Sequence, residues 1–332
     1  MGTNKSIFLW TFKVVVGAAI MIAGYVTYAY LHRVDIGERV VSVIVVPGDN
    51  FGRIAAQLVD EGVVDSRLML KYPARWMEID KKLVPGRYDF TGENSCRTVL
   101  DKLRRGDFLR LRLTVYEGMP IWRVASVMSR ELEVDSARLM ELSQDTAFLD
   151  QLGIPTLEGY LFPETYFIPW GTDIRDVVTE MVEMYHAKTD NIWPDSLPDN
   201  LNREEIIILA SIVEAEAKLD REKPIISSVY HNRLRKNMRL DADPTVIYGL
   251  GGLDRPLYKK DIRKVTPYNT YRLKGLPPTP INSPGLAAIK AAIRPDSTDY
   301  LFFVADGTGG HRFSRTNAEH NRARYEIRQN SR

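Results

Sequence analysis

Glu214 stands directly after the unbroken apolar run Ile206-Ile207-Ile208-Leu209-Ala210-Ser211-Ile212-Val213. A helix that is apolar all round belongs in a protein interior. A carboxyl held there is costly to ionise, so it tends to keep its proton and can act as an acid. One such acid is enough to start the cleavage of a glycosidic bond. The bland alternative is that the helix surfaces at this point, because Ala215-Glu216-Ala217-Lys218-Leu219-Asp220 is polar and helix-forming. Glu216 makes a poor second catalyst, since two residues along a helix turn it about 200° away from Glu214.

The other groups with usable chemistry lie downstream. Asn232 sits in Tyr230-His231-Asn232-Arg233-Leu234, and Asp243, Thr245 and Tyr248 sit in Asp243-Pro244-Thr245-Val246-Ile247-Tyr248-Gly249. Asn269 and Tyr271 belong to a proline-stiffened stretch that runs through Gly275-Leu276-Pro277-Pro278 to Ser283-Pro284-Gly285. Amide, hydroxyl and phenol groups on such a loop can face a polyhydroxylated ligand without a metal. Asp243 is the better-placed partner for Glu214, although its position before Pro244-Thr245 equally suits an N-cap. His231, on a different helix face from Asn232, is expected at the surface, and neither His311 nor Glu164 receives a role. Glu164 lies in Leu157-Glu158-Gly159-Tyr160-Leu161-Phe162-Pro163-Glu164-Thr165-Tyr166, whose rings and acids suit either the wall of a sugar groove or a domain junction.

The elements that must position these groups follow from local pattern. Helices are expected over the Glu214 run, from Pro224 to Lys236, and from Asp243 onward. A strand from Tyr300 to Ala305 then turns into Gly309-Gly310-His311-Arg312-Phe313, and a last helix opens at Thr316 with Glu319 completing a capping box. Asp173 to Lys188 reads as one more amphipathic helix.

Val14 to Leu31 form 18 positions without a charge, about 27 Å as a helix and close to the hydrocarbon thickness of a bilayer. No Ala-x-Ala-type site follows, which favours an uncleaved anchor, with residues 1–13 cytoplasmic and the rest outside. Beyond it, 44% hydrophobic and 27% charged residues are ordinary for folded domains, and a net charge of +2 leaves no footprint for nucleic acid. Cys96 is the single cysteine, which excludes an intrachain disulfide; it opens an ordinary-looking helix and reads as structural.

A shift of 70 residues lays Gly48 on Gly118, Arg53 on Arg123, Ile54 on Val124 and Val64-Asp65-Ser66 on Val134-Asp135-Ser136. Each unit reads as a strand (Val41 to Val46; Leu111 to Val115), a glycine turn and two helices, the second opening at Asp65-Ser66 or Asp135-Ser136. With a strand at Gly86 to Phe90 and a helix at Ser95 to Arg105, the first unit becomes a βααβ module similar to LysM modules, which grip N-acetylated glycans. The fold class expected is α+β: a transmembrane helix over 14–31, the LysM-like module over 40–110, a second repeat and bridging region over 111–200, and a mainly helical catalytic domain with a small β component over 201–332.

Seven motifs, in order, resemble the MltG-type (YceG-like) endolytic murein transglycosylases: Ala210-Ser211-Ile212-Val213-Glu214, Asn232-Arg233-Leu234, the Asp243 to Gly249 run, Tyr268-Asn269-Thr270-Tyr271, Gly275-Leu276-Pro277-Pro278, Pro284-Gly285 and Phe303-Val304-Ala305-Asp306-Gly307. Ala215-Glu216-Ala217 departs from the Lys-Glu-Thr type of the family, and His231 from its usual apolar residue. The resemblance implies a bacterial lytic transglycosylase, a lyase, single-pass in the inner membrane with its catalytic domain in the periplasm. It implies Glu214 as the acid and then base that cuts the MurNAc-GlcNAc β-1,4 bond to leave 1,6-anhydro ends, peptidoglycan strands as substrate, cell-wall synthases (penicillin-binding proteins) as partners, and no cofactor or metal. Asn232, Tyr248, Asn269 and Tyr271, with Asp243 and Thr245, would orient the acetamido groups and stabilise oxocarbenium-like charge, or serve instead as a buried hydrogen-bonding scaffold. The rival functions are a hydrolytic muramidase and a membrane-anchored glycan-binding scaffold.

Overall fold

The structure is a computed structural model that describes residues 3–330. The described residues mix helices with four two-stranded sheets and divide into two compact units. One unit comprises the residues up to Leu111 with Phe167–Gly171, and the other Arg112–Tyr166 with the residues from Thr172 on.

In the first unit, α1 (Thr3–Leu31) contains the apolar span Trp10–Leu31, which is long and apolar enough to cross a membrane. Then come β1 (Val34–Asp35), β2 (Val41–Val45), α2 (Phe51–Asp60), α3 (Arg67–Trp76), β3 (Gly86–Phe90), β4 (Glu93–Asn94) and α4 (Cys96–Arg105). The β2 and β3 strands pair antiparallel with Val43 opposite Tyr88, and β1 pairs with β4. The elements β2, α2, α3 and β3 therefore make the βααβ order. Polar side chains start its helices: the Asn50 Oδ1 accepts from Gly52 N–H, Ser66 Oγ from Met69 N–H, and Ser95 Oγ from Thr98 N–H. In α2 the residues Phe51, Ile54, Ala55 and Leu58 are buried, the i, i+3, i+4, i+7 stripe of an amphipathic helix. They join Val43, Leu70, Tyr88, Leu100 and Leu103 in one core, where each large side chain stabilises by about 2 kcal/mol. Cys96 lies in that core, and burial pushes its thiol up to about 11.

The strand β5 (Arg110–Thr114) is paired with β6 (Thr165–Pro169), and residues of this ladder belong to both units. Between them run α5 (Ile121–Leu132), α6 (Ser136–Leu142) and α7 (Thr146–Leu152), and after them α8 (Ile174–Thr189). Asp135, Asp145 and Asp173 cap α6, α7 and α8 through their side chains. The rest of the second unit is α9 (Arg203–Glu216), α10 (Lys223–Arg235), α11 (Asp243–Gly249), α12 (Lys259–Ile262), α13 (Leu286–Ile293), the antiparallel hairpin β7 (Phe302–Ala305) and β8 (His311–Ser314), and α14 (Asn317–Asn330). α9 and α10 pack against each other and both against α13.

Three local expectations need correction. His231 is fully buried, with Nδ1 2.6 Å from Asp199 Oδ2 and Nε2 3.0 Å from the Ala292 carbonyl; α10 lies against α9 and α13, so leaving the Asn232 face does not bring a side chain to water. Asp243 is not an N-cap: α11 begins at it, the cap is Ala242, and the Asp243 carboxylate accepts instead from Tyr271 Oη at 2.7 Å. Nor does α9 continue as a solvated helix through Asp220, because Ala217 is extended and the helix ends at Glu216.

Candidate active site

α9 opens with a reciprocal capping box between Asn202 and Glu205, and every residue from Ile206 to Val213 is buried. That burial carries Glu214 inward at the end of the helix, with only 7% of its side chain exposed. A loop from the far end of the sequence is stitched to the turn before it: Ser211 Oγ accepts from Ile281 N–H at 3.0 Å, and Asn282 Nδ2 donates to the Ser211 carbonyl at 2.8 Å. Ser283 N–H donates to Met119 O at 2.9 Å and Gly118 N–H to Ser283 O at 2.9 Å, which adds the Glu117-Gly118-Met119 segment. The result is that Gly285 N–H donates to Glu214 Oε2 at 2.9 Å. A Cβ on Gly285 would run into the Glu117 side chain, so a larger residue there would displace Glu117 from its place beside Lys223.

The second donor to Glu214 is Lys223 at the start of α10, whose Nζ is 3.0 Å from Oε1 and 3.2 Å from Oε2. Lys223 is 2% exposed and also meets Asp220 Oδ1 at 2.8 Å and Glu117 Oε2 at 3.7 Å. Asp220 and Glu117 are largely in water, so solvent screens their part, and Glu214 is the buried partner. Burial raises the Glu214 carboxyl above the usual range despite the Gly285 N–H and Lys223, and the Glu117 charge adds to the rise. Burial works to lower Lys223, but Asp220 and Glu214 outweigh it and its proton is held more tightly than usual. The site thus pairs a firmly charged ammonium with a carboxyl of raised proton affinity, an arrangement that can release a proton and then hold the resulting anion.

The other residues singled out from the sequence fall in separate places. Asn232 Nδ2 donates to the Thr298 and Tyr300 carbonyls at 2.8 and 2.9 Å, and its Oδ1 accepts from Arg235. Asn269 is fully buried; Nδ2 donates to the Ile262 and Lys264 carbonyls and Oδ1 accepts from Tyr271 N–H. Thr245 is likewise buried, its hydroxyl on the Ala242 carbonyl at 2.7 Å and 2.8 Å from Thr270 Oγ1. The polar groups of these three residues are taken up by the chain itself. Asp243 and Tyr271 line a cavity of about 450 Å³ together with Glu216, Tyr230 and His311. Glu216 is no solvated helix end: burial and the nearby Asp243 charge push its carboxyl up to about 7, while Tyr230 Oη donates to it at 3.2 Å. His311 Nδ1 is 2.7 Å from Glu222 Oε2. Glu164 is exposed and accepts from the Thr165 N–H.

Tyr248 belongs to a third cluster that the sequence did not disclose. Its hydroxyl donates to Glu158 Oε2 at 2.9 Å, and its ring lies 4.9 Å from Trp122 and 4.7 Å from Tyr268 between centroids. Glu158 is buried, accepts also from Ile121 N–H at 3.1 Å, and leaves Oε1 without a partner. Burial pushes its carboxyl up to about 7. A carboxyl raised in the folded state binds more protons there than in the unfolded chain, so its stabilisation is full below about 4.5 and is lost as pH rises towards 7. Glu158→Gln is therefore expected to remove about 2.5 kcal/mol of the stability loss between pH 5 and pH 8. Denaturant titrations of parent and variant at the two pH values check this, and parallel pH dependences would refute it.

Lys223, Glu117 and Glu158 are the residues that sequence reasoning missed. A signal existed for Glu158, an acid among Leu157, Tyr160 and Leu161, whereas Lys223 follows Asp220-Arg221-Glu222 and looks like part of a solvated charge run. Among the described residues, no group of His, Cys, Asp and Glu is arranged to hold a metal ion.

Residues 43–326 match the model of the YceG-like family. The chain is 31% identical over 308 residues to the endolytic murein transglycosylase of Bacillus subtilis (strain 168), across 86% of this chain and 84% of that protein. It is 27% identical over 340 residues to the endolytic murein transglycosylase of Streptococcus pneumoniae serotype 2 (strain D39 / NCTC 7466), across 91% of this chain but only 62% of the relative. Among solved structures, a YceG-like protein from Listeria monocytogenes superposes with a TM-score of 0.58 at 28% identity, over 85% of this chain and 98% of that one.

Proposed function

Since the chain belongs to the YceG-like family, whose relatives above are named for endolytic murein cleavage, we propose that it is a peptidoglycan lytic transglycosylase with Glu214 as its acid and base. The observation that carries this reading is the buried Glu214 carboxyl of raised proton affinity, held by the Gly285 N–H and Lys223. Its proton goes to the glycosidic oxygen as the bond from muramic acid C1 to that oxygen breaks. Gly285 N–H and Lys223 then stabilise the Glu214 carboxylate. That carboxylate accepts the proton of the muramyl 6-hydroxyl as O6 closes onto C1, which restores the acid and leaves a 1,6-anhydro end. The tethered hydroxyl has the proximity advantage that an external water lacks.

A hydrolytic second reading draws on Glu117, whose charge bears on Glu214 and which shares Lys223 with it. Glu117, rather than Asp243, is then the carboxylate to activate water. Mass spectrometry of the ends made from intact glycan strands decides: anhydro ends, each lighter by one water, are expected, and free reducing muramic ends would convert the enzyme into a muramidase.

Asn232, Asn269 and Thr245 support the substrate loops from within, Tyr248 fixes Trp122, and Asp243 and Tyr271 offer groups to the strand from their own cavity. The βααβ unit serves as a LysM-like glycan grip, and Trp10–Leu31 crosses the inner membrane with the preceding residues cytoplasmic. Cell-wall synthases that extend the same strands are the partners, and termination of strand growth is the outcome. A pure scaffold reading makes no use of the Glu214 and Lys223 pair.

A further inference from the structure

One cavity lined by the second unit measures about 1010 Å³, and its lining includes none of the groups that hold Glu214. It is nevertheless built from the same strip of chain. In the segment from Tyr116 to Arg123, Glu117 meets Lys223 and Gly118 lies next to Glu214, while Met119, Trp122 and Arg123 line the cavity. A strand whose glycosidic bond lies at Glu214 has its neighbouring substituents next to this wall.

The wall has a defined chemistry. Of its three arginines, Arg130 is paired with Glu131 at 2.9 Å, but Arg112 and Arg123 are exposed and have no carboxylate partner among the described residues. One further acid, Asp254, lies on the lining, so positive charge remains in excess. Trp122 is half-buried and held in place: Tyr248 packs against its ring with its own hydroxyl tied to Glu158, and Gly252 lies so close that a Cβ there would touch the indole at 3.7 Å. A fixed aromatic face beside two unpaired guanidinium groups suits a ligand that has a flat apolar surface and carboxylates.

A peptidoglycan strand carries both features side by side: the sugar ring offers the apolar face, and the peptide stem on muramic acid bears free carboxylates. We infer that this cavity binds the peptide stem of the strand being cut, with Arg112 and Arg123 on stem carboxylates and Trp122 as the platform beneath the adjoining chain. The inference rests on the proposed peptidoglycan substrate, and it makes strand choice depend on a part of the substrate remote from the bond that breaks.

Binding and cleavage are measured separately on the whole detergent-solubilised chain. The free stem pentapeptide, and the same peptide with its carboxylates amidated, are titrated calorimetrically into the parent and into the Arg112→Gln, Arg123→Gln double variant. The parent is expected to bind the carboxylate form roughly ten- to a hundredfold more tightly than the amidated one, and the double variant to lose that difference. In cleavage assays, the double variant should raise KM by a similar factor on stem-bearing strands, with kcat and the cleavage of amidase-stripped strands close to those of the parent. Equal affinity for the two peptides, or binding that ignores both substitutions, overturns the inference even if cleavage is robust. Arginine-dependent binding by a protein that cuts no strand at all would retain the stem site and remove the transglycosylase reading instead.

Discussion

Glu214→Gln is expected to lower strand cleavage by about two to four orders of magnitude, the loss of general acid catalysis, in a protein that still unfolds cooperatively. The amide oxygen keeps the place of Oε2, where both Gly285 N–H and Lys223 donate, while the NH2 takes the place of Oε1 and gives up the 3.0 Å contact with Lys223 Nζ. What disappears is the transferable proton. The carboxyl is buried and its proton affinity is already raised, so an uncharged replacement suits the site. Lys223 keeps Asp220 and Glu117 as counter-charges. Cleavage within tenfold of the parent, by protein with a parent-like melting transition, would dismiss Glu214 as the acid.

Lys223→Met should affect stability and the pH profile together. The substitution fills most of the same volume but leaves the Glu214 carboxylate without its cation, a change that costs on the order of 3 kcal/mol where the acid is ionised. Lys223 has a raised affinity for its proton, so its contribution is fully present at neutral pH and would be lost only as pH climbs through its own raised value. Without it the Glu214 carboxyl rises further, which means that the penalty is smaller at pH 5, where a larger share of the acid is protonated, than at pH 8. The same shift moves the alkaline limb of activity to higher pH. Urea titrations at pH 5 and pH 8 beside a pH-rate profile provide the check; equal destabilisation at both pH values with an unmoved limb would mean that Lys223 does not govern the acid.

Capping and periodicity are local properties, and wherever they decided structure the chain was readable. Ser66, Ser95, Asp135 and Asp173 start their helices, and Gly86 to Phe90 forms its strand, because each signal lies within a few residues of its effect. The burial of Glu214 was readable for the same reason, from the eight residues before it. Its partners were not, since Lys223 and Gly285 reach it only after α10 and the loop before α13 have packed. Residue type also could not say whether an amide serves the chain or a ligand: Asn232 and Asn269 look equally suited to a sugar, yet both close on backbone carbonyls of their own fold. His231 shows the converse failure, because a polar face is solvated only if nothing packs on it.

The end of α9 has an electrostatic consequence of its own. Glu214 and Glu216 both lie in its last turn, and that turn contains no basic residue. The aligned peptide dipoles put partial negative charge at a helix carboxyl end, so this terminus itself resists ionisation of both acids. A cation in the same turn would cancel the effect locally, but here the ammonium that meets Glu214 comes from the start of another helix, α10, where the dipole is positive. The acid's proton affinity is therefore set between two opposed helix poles and exists only in the folded unit. A peptide of α9 alone, exposed to water and without Lys223, would titrate at Glu214 as an ordinary glutamate near a weakly repelling helix end.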